Sequence, residues 1–168
     1  MTQASPGADG RAPGDVGIAG RPAVPERRRA SQVPVAVLGA IGAGGALGAV
    51  ARYSVSVALP HGPGEFPLST FVIDVSGCLL IGALVVVLTE VMGRPHQLAR
   101  PFFGVGLLGG YTTFSAYTTE ALALLDDGAT STALTYLFGT LLAAVLAVQT
   151  GVVATRAVVA QVRKEPGS

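Results

Sequence analysis

Four long apolar stretches constrain this chain more than any other feature of its sequence. They span residues 35–59, 68–89, 102–125 and 133–155. Each is long enough to cross about 30 Å of hydrocarbon, because a transmembrane helix needs about 20 residues. Only 12% of all residues are charged, which is too few to cover a water-soluble domain of this size. The sequence therefore predicts an all-α membrane protein with four transmembrane helices.

Short breaks rich in Gly, Pro or Asp separate the stretches, at residues 60–64, 93–95 and 126–128. Ahead of them, residues 1–33 are rich in Gly, Pro, Ala and Arg and have no hydrophobic periodicity, which is typical of disorder. We therefore expect a disordered cytoplasmic tail over residues 1–33 and a four-helix transmembrane domain over 34–160. Residues 161–168 should form a short cytoplasmic tail.

The Lys and Arg residues lie almost entirely on one side of the predicted bundle. All but one of the eleven fall in the N-terminal tail, the second loop or the C-terminal end, and Arg52 is the exception. Segments rich in Lys and Arg stay in the cytoplasm. We therefore expect a multi-pass protein of the cell membrane with both termini in the cytoplasm.

Polar side chains inside the predicted spans are costly in lipid, so they mark a pathway or a packing contact. Thr70, Asp74 and Cys78 recur every four residues in the second span and therefore share one helix face. Tyr136 and Thr140 share a face of the fourth span in the same way. Function is expected to lie on these faces.

The third stretch contains the motif GGYTTFSAY at residues 109–117, which is polar for a transmembrane segment. A single Ser or Thr in such a segment bonds back to the preceding turn of its own helix. Paired glycines followed by a run of hydroxyls instead predict a helix that is broken near its middle. The carbonyls and hydroxyls that such a break frees are expected to face an ion.

The glycines of the first stretch allow two interpretations. Gly42, Gly44 and Gly48 follow an apolar run, as in a dinucleotide-binding loop, but no alternation of strands and amphipathic helices follows them. Small residues four apart instead predict close contact between helices. Gly106 and Gly110 repeat this spacing in the third stretch. We do not expect an enzyme, since no region combines a nucleophile, a base and an orienting group.

Three segments resemble the signature regions of the CrcB/Fluc fluoride channel family. They are GGALGAVARY at residues 44–53, STFVIDVSGCLLIG at 69–82 and GVGLLGGYTTFSAY at 104–117. The resemblance implies an antiparallel dual-topology dimer of four-helix subunits with two fluoride pores. It also implies a structural sodium ion (Na+) at the interface, bound by the backbone carbonyls of Gly109 and Thr112.

The resemblance implies roles for further residues. Phe114 and Tyr117 would form an aromatic box over whose ring edges fluoride passes, and Arg52 would be a cation in the vestibule. An arginine whose charged end reaches the lipid headgroups is an equally good interpretation of Arg52. The implied fluoride pore comprises Phe114, Tyr117, Thr70, Asp74, Tyr136, Thr140 and Ser115.

Two positions depart from the family pattern, because Tyr117 stands where the family has Phe and Asp74 where it has Asn. The tyrosine keeps the ring edge and adds a hydroxyl. An ionised Asp offers an anion only acceptors and a repelling charge. Either the Asp74 carboxyl is protonated and donates through its O–H, or the pore that it lines does not conduct fluoride.

Together the residues and the resemblance predict a fluoride-selective channel that lowers cytoplasmic fluoride by passive efflux. The charge bias favours one orientation in the membrane, so we expect an antiparallel dimer with a paralogous subunit. Two alternatives remain open. One is a small proton-coupled exporter that uses Asp74 as its carboxylate, and the other is a non-conducting partner subunit of a fluoride channel.

Overall fold

Helices are the only regular secondary structure among the residues that the computed structural model describes, which are 33–92 and 97–164. Helix α1 spans Val35–Ala58. Helix α2 spans Leu68–Val86 and continues as a π-helical turn, Val87–Val91. Both helices begin directly after a proline, whose fixed backbone angle and missing N–H suit the start of a helix.

The second half of the chain forms three further helices. Helix α3 consists of a π-helical segment, Arg100–Leu108, and a final α-helical turn, Gly109–Tyr111. Helix α4 spans Phe114–Asp126, and helix α5 spans Thr130–Lys164. The predicted third span, residues 102–125, is therefore divided between α3 and α4.

Three helices of the described chain are long and apolar enough to cross a membrane, namely α1, α2 with its π-helical turn, and α5. Their mean hydropathies are 1.6, 2.6 and 2.0. The predicted all-helical fold is confirmed, and three of the four predicted spans correspond to helices long and apolar enough to cross a membrane.

The helical break that the third stretch predicts lies at two threonines. Thr112 (φ −85°, ψ 156°) and Thr113 (φ −153°, ψ 112°) are extended, whereas Gly109 is helical (φ −65°, ψ −30°). The Thr113 hydroxyl accepts a hydrogen bond from the N–H of Ala116 at 3.3 Å and so caps the start of α4. The break is thus present, but it begins three residues after Gly109.

Glycines bring α1 and α3 into backbone contact. A Cβ atom on Gly106 would lie 2.6 Å from the Ile41 carbonyl oxygen and 3.0 Å from the Cα of Gly44. A Cβ on Gly110 would lie 3.0 Å from the Cα of Gly45. The predicted close approach of these glycine pairs is therefore confirmed. The glycines that precede the break serve this contact between helices.

A second glycine contact, which the sequence did not predict, joins α2 to α5. A Cβ on Gly82 would lie 3.2 Å from the Val152 nitrogen, and a Cβ on Gly151 would lie 3.1 Å from the Ala83 nitrogen. Beyond this contact, α4 and α5 enclose a small core around Leu124. The remaining members of that core are Ala121, Ala133 and Tyr136.

Some predictions fall on residues that are not described. The tail over residues 1–33, apart from Val33, and the loop at 93–95 lie outside the described residues. The C-terminal tail predicted over 161–168 begins within α5, which continues through Lys164.

Candidate ion pathway

Two cavities lie on either side of the break between α3 and α4. The first, which we call the break cavity, measures about 370 Å³ and includes Asp74, Thr112 and Phe114 in its lining. The second, the loop cavity, measures about 300 Å³ and lies against the residues that connect α1 to α2. Thr113 lines both cavities, so the break separates them.

The predicted site residues distribute between these cavities. Arg52 and Thr70 line the loop cavity. Tyr136 is fully buried in the core beside the Tyr117 ring. Ser115 lines neither cavity, and its hydroxyl lies 2.9 Å from that of Thr113. The break cavity holds the largest group: Asp74, Gly109, Thr112, Phe114, Tyr117 and Thr140.

Two buried hydroxyls on α5 lack hydrogen-bond partners among the described residues, those of Tyr136 and Thr140. Thr70 lies near the Tyr136 hydroxyl, but the pair does not reach hydrogen-bond geometry. Elsewhere on α5, Thr135 and Thr150 donate to the carbonyls four residues earlier, as threonines in helices commonly do. Leaving a buried hydroxyl unpaired is costly, so these two groups are available donors.

The aromatic rings after the break lie tilted against their neighbours, with interplanar angles of 37° for Phe114 and Tyr117 and 44° for Tyr117 and Tyr136. The ring centroids of Phe114 and Tyr117 are 5.8 Å apart, and those of Tyr117 and Tyr136 are 5.3 Å apart. The Tyr117 hydroxyl donates to the Leu137 carbonyl at 2.8 Å. The hydroxyl that distinguishes Tyr117 from the family's Phe is therefore used to hold α4 against α5.

Asp74 binds the break directly. Its Oδ1 atom accepts a hydrogen bond from the N–H of Thr113 at 3.4 Å. In an uninterrupted helix that N–H would donate to the carbonyl of Gly109. The side chain of Asp74 thus replaces a backbone acceptor, a function that needs one oxygen atom and no donor.

Arg52 binds the opposite side of the break. Its Nε donates to the Gly110 carbonyl at 3.2 Å. Arg52 also lines the loop cavity, which contains Ser56, Thr70 and Glu120. The Arg52 side chain is therefore half-buried and bonded to the break.

The carbonyls proposed for sodium have lost their regular helical partners. The N–H groups that would pair with Gly109 and Thr112 in a continuous helix belong to Thr113 and Ala116. These two N–H groups donate instead to Asp74 and to the Thr113 hydroxyl. Gly109 and Thr112 both line the break cavity, so their carbonyls fit a cation that takes backbone oxygen ligands.

Sequence reasoning missed two pairs of residues near the break. The Tyr111 hydroxyl lies 2.9 Å from that of Ser76 on α2. Nε2 of His61 lies 3.4 Å from a Glu120 carboxylate oxygen, where both side chains line the loop cavity. Both pairs join residues that are distant in the sequence, so no local pattern could have identified them.

The site combines a broken helix between two cavities with unpaired hydroxyls and with carbonyls that have lost their helical partners. Such a combination inside an apolar bundle is typical of a membrane protein that binds or conducts ions. Residues 39–152 match the family described as CrcB-like protein, Camphor Resistance (CrcB). The chain belongs to this CrcB family, as its three motifs predict.

Its relatives include three proteins described as fluoride-specific ion channels. FluC 2 of Nocardia farcinica is 52% identical over 121 residues, which cover 72% of this chain and 86% of that protein. FluC 2 of Streptomyces avermitilis is 46% identical over 131 residues, covering 76% and 80%. FluC of Rhizobium meliloti is 42% identical over 120 residues, covering 71% and 95%.

Proposed function

We propose that this protein is a subunit of a fluoride-selective channel that lowers cytoplasmic fluoride by passive efflux. The observation that carries the proposal is the pair of buried, unpaired hydroxyls on Tyr136 and Thr140, beside the ring of Tyr117. Fluoride is small and strongly hydrated, so a selective path must replace its water with closely spaced donors and the positive edges of aromatic rings. The names of the relatives given above support the same function.

We infer that α3 and α4 together make a fourth membrane crossing. The two helices are joined through Thr112 and Thr113, and their backbone groups at the break are bound by Arg52 and Asp74. Non-helical backbone is tolerated at membrane depth only where protein covers it. A second subunit packed antiparallel would cover the break cavity, and the Phe114 ring, which is 78% exposed in the single subunit, would lie at that interface.

We propose that the carbonyls of Gly109 and Thr112 bind a structural sodium ion in this dimer. The support is the diversion of their regular N–H partners to Asp74 and to the Thr113 hydroxyl. When bound, sodium would neutralise the carbonyl dipoles that the break leaves facing the partner subunit.

We also propose that the second subunit is a paralogue with the opposite orientation. The strong bias of Lys and Arg favours cytoplasmic termini for this chain. Numbered relatives from a single organism, FluC 2 and FluC 3 of Streptomyces avermitilis, are consistent with paired genes. In a heterodimer the two pores differ, so Asp74 could line the pore that carries less fluoride.

Liposomes loaded with fluoride test the function. The chain, measured alone and with a co-expressed paralogue, should release fluoride and retain chloride without a proton gradient, and the heterodimer predicts that this release needs the paralogue. Release that needs a proton gradient would favour the exporter, and comparable chloride release would contradict the channel. Release by the paralogue without this chain would favour a non-conducting subunit.

Asp74→Asn tests whether the carboxyl of Asp74 limits fluoride flux through the pore that it lines. We expect a flux at least equal to that of the unmodified protein, because the amide restores a donor and removes a charge. A variant that loses flux would show that the carboxyl is a working pore group. Robust conduction by the chain alone, with cysteine labelling in both orientations equally, would contradict the heterodimer.

A further inference from the structure

The break between α3 and α4 interrupts backbone hydrogen bonding inside an apolar bundle, where unpaired groups are costly. Two side chains from other helices bind it. The Nε of Arg52 on α1 donates to the Gly110 carbonyl at 3.2 Å, and Oδ1 of Asp74 on α2 accepts the N–H of Thr113 at 3.4 Å. The break is therefore bound on the α1 side and on the α2 side.

Other groups at the break are bound locally. The Thr113 hydroxyl caps α4 through the N–H of Ala116, and the N–H of Thr112 donates to the Leu108 carbonyl. These contacts determine the shape of each half-helix but do not fix the break relative to the bundle. The bonds of Arg52 and Asp74 do so on the backbone of the break itself, because they connect residues 58 and 39 positions apart. The bond between the Tyr111 and Ser76 hydroxyls joins only the last turn of α3 to α2 and leaves the backbone of the break unbound.

We propose that Arg52 and Asp74 are positioning residues that hold the break open from its two sides. This inference rests on the proposed fluoride channel, because the carbonyls that the break frees are those assigned to sodium. Holding Gly110 and Thr113 on side chains keeps the two half-helices from rejoining into one continuous helix. The carbonyls of Gly109 and Thr112 then remain free toward the break cavity.

The proposal gives Asp74 a function that does not depend on fluoride. The bond to Thr113 needs one acceptor oxygen, which Asp and Asn supply equally. An Asp in place of the family's Asn therefore keeps the break in position, whichever pore it lines. Valine is close to Asp in volume but supplies no acceptor. Comparing Asp74→Val with Asp74→Asn therefore separates binding of the break from the effect of the charge on fluoride.

For Arg52, the positioning role can be separated from the effect of its positive charge in the same way. The side-chain nitrogen of Gln lies the same number of bonds from Cα as Nε of Arg, so Arg52→Gln keeps a donor and removes the charge. Methionine has the same chain length and no donor. A loss of anion attraction alone would affect both variants equally, whereas positioning distinguishes them.

Hydrogen–deuterium exchange of the full chain in detergent, with its paralogue where assembly requires it, measures the break directly. In peptides covering residues 109–116, Asp74→Val and Arg52→Met should exchange about 5- to 150-fold faster than the unmodified protein, as expected for a buried group left unpaired. Asp74→Asn and Arg52→Gln should exchange within about twofold of it. Peptides from α5 should be unchanged in all four variants.

Equal exchange at the break in all four variants would overturn the proposal. A rise that extends equally through α5 would also overturn it, because the residues would then stabilise the whole fold. If Asp74→Val does not fold, the Arg52 pair gives the same comparison. Fluoride release is measured on the same purified proteins after reconstitution into liposomes. An unmodified protein that releases none contradicts the proposed function, while the exchange result still decides the positioning role.

Discussion

Gly48→Ala tests the close approach of α1 to α3, on which the position of the break depends. A Cβ at Gly48 would lie 2.8 Å from the Tyr111 nitrogen and 3.0 Å from the Gly110 carbonyl carbon, and it would overlap the Leu107 carbonyl oxygen. Ordinary contacts between such atoms are about 3.5–4.0 Å. All three neighbours are backbone atoms, which cannot rotate away, so the two helices must separate.

The size of the effect follows from this geometry. Inserting a methyl group into a packed contact costs about 1–3 kcal/mol when the surroundings must shift. This cost lowers the ratio of folded to unfolded protein by about 5- to 150-fold. Gly48 lies one turn before Arg52, whose bond to the Gly110 carbonyl crosses the same contact. Fluoride flux should therefore fall together with stability.

Gly42→Ala is the matched control on the same helix, because no atom of the described residues outside the local helix backbone lies within 4 Å of its Cβ position. In a helix interior Ala is favoured over Gly by about 0.8–1.0 kcal/mol, so this variant should be as stable as the unmodified protein or more so. Equilibrium unfolding in mixed detergent micelles, followed by circular dichroism, measures both. Equal stability and equal flux for the Gly48 and Gly42 variants would refute the close contact.

The other predictions test a hydroxyl of the proposed fluoride pathway, the assembly of the dimer and an ion pair on the surface. Thr140→Val removes a buried hydroxyl with no partner among the described residues, so fluoride flux should fall at least about tenfold while the free energy of unfolding stays equal or rises; a destabilised variant with full flux contradicts this. Gly109→Val should leave the single subunit folded, since in the described part of the chain nothing beyond the local backbone lies within 4 Å of its Cβ position, but abolish dimer assembly in cross-linking; a normal dimer with normal flux argues against the sodium site. Glu90→Gln weakens its exposed ion pair with Arg156, so thermal stability should fall slightly at low salt and not at high salt; an effect independent of salt would show that charge is not the cause.

Local patterns in the sequence predict much of this fold. Apolar length predicts α1, α2 and α5, and four-residue glycine spacing predicts the contact between α1 and α3 because both depend only on neighbours along one helix. The position of the break was harder to predict. Gly110 looked like a breaking residue, but its missing Cβ is used to approach Gly45, and it remains helical.

The exact break could have been inferred from capping chemistry. Thr113 has the residue type and position of an N-cap, with its hydroxyl bonded to the N–H three residues later. The bonds of Arg52 and Asp74 could not have been inferred from the sequence, because each joins residues that are distant along the chain. Such pairings depend on how the helices pack, and no local pattern encodes them.

Helix α5 is longer than the membrane is thick. Its 35 residues extend about 50 Å at about 1.5 Å per residue, while the hydrocarbon layer is about 30 Å thick. The C-terminal part is braced where Arg156 and Arg163 bond to Glu90. A rigid rod should therefore project into the water on one side, and in the proposed antiparallel dimer each subunit would place its rod on the opposite face. A fluorescent probe near the end of α5 would then report from outside the bilayer which way each individual subunit was inserted.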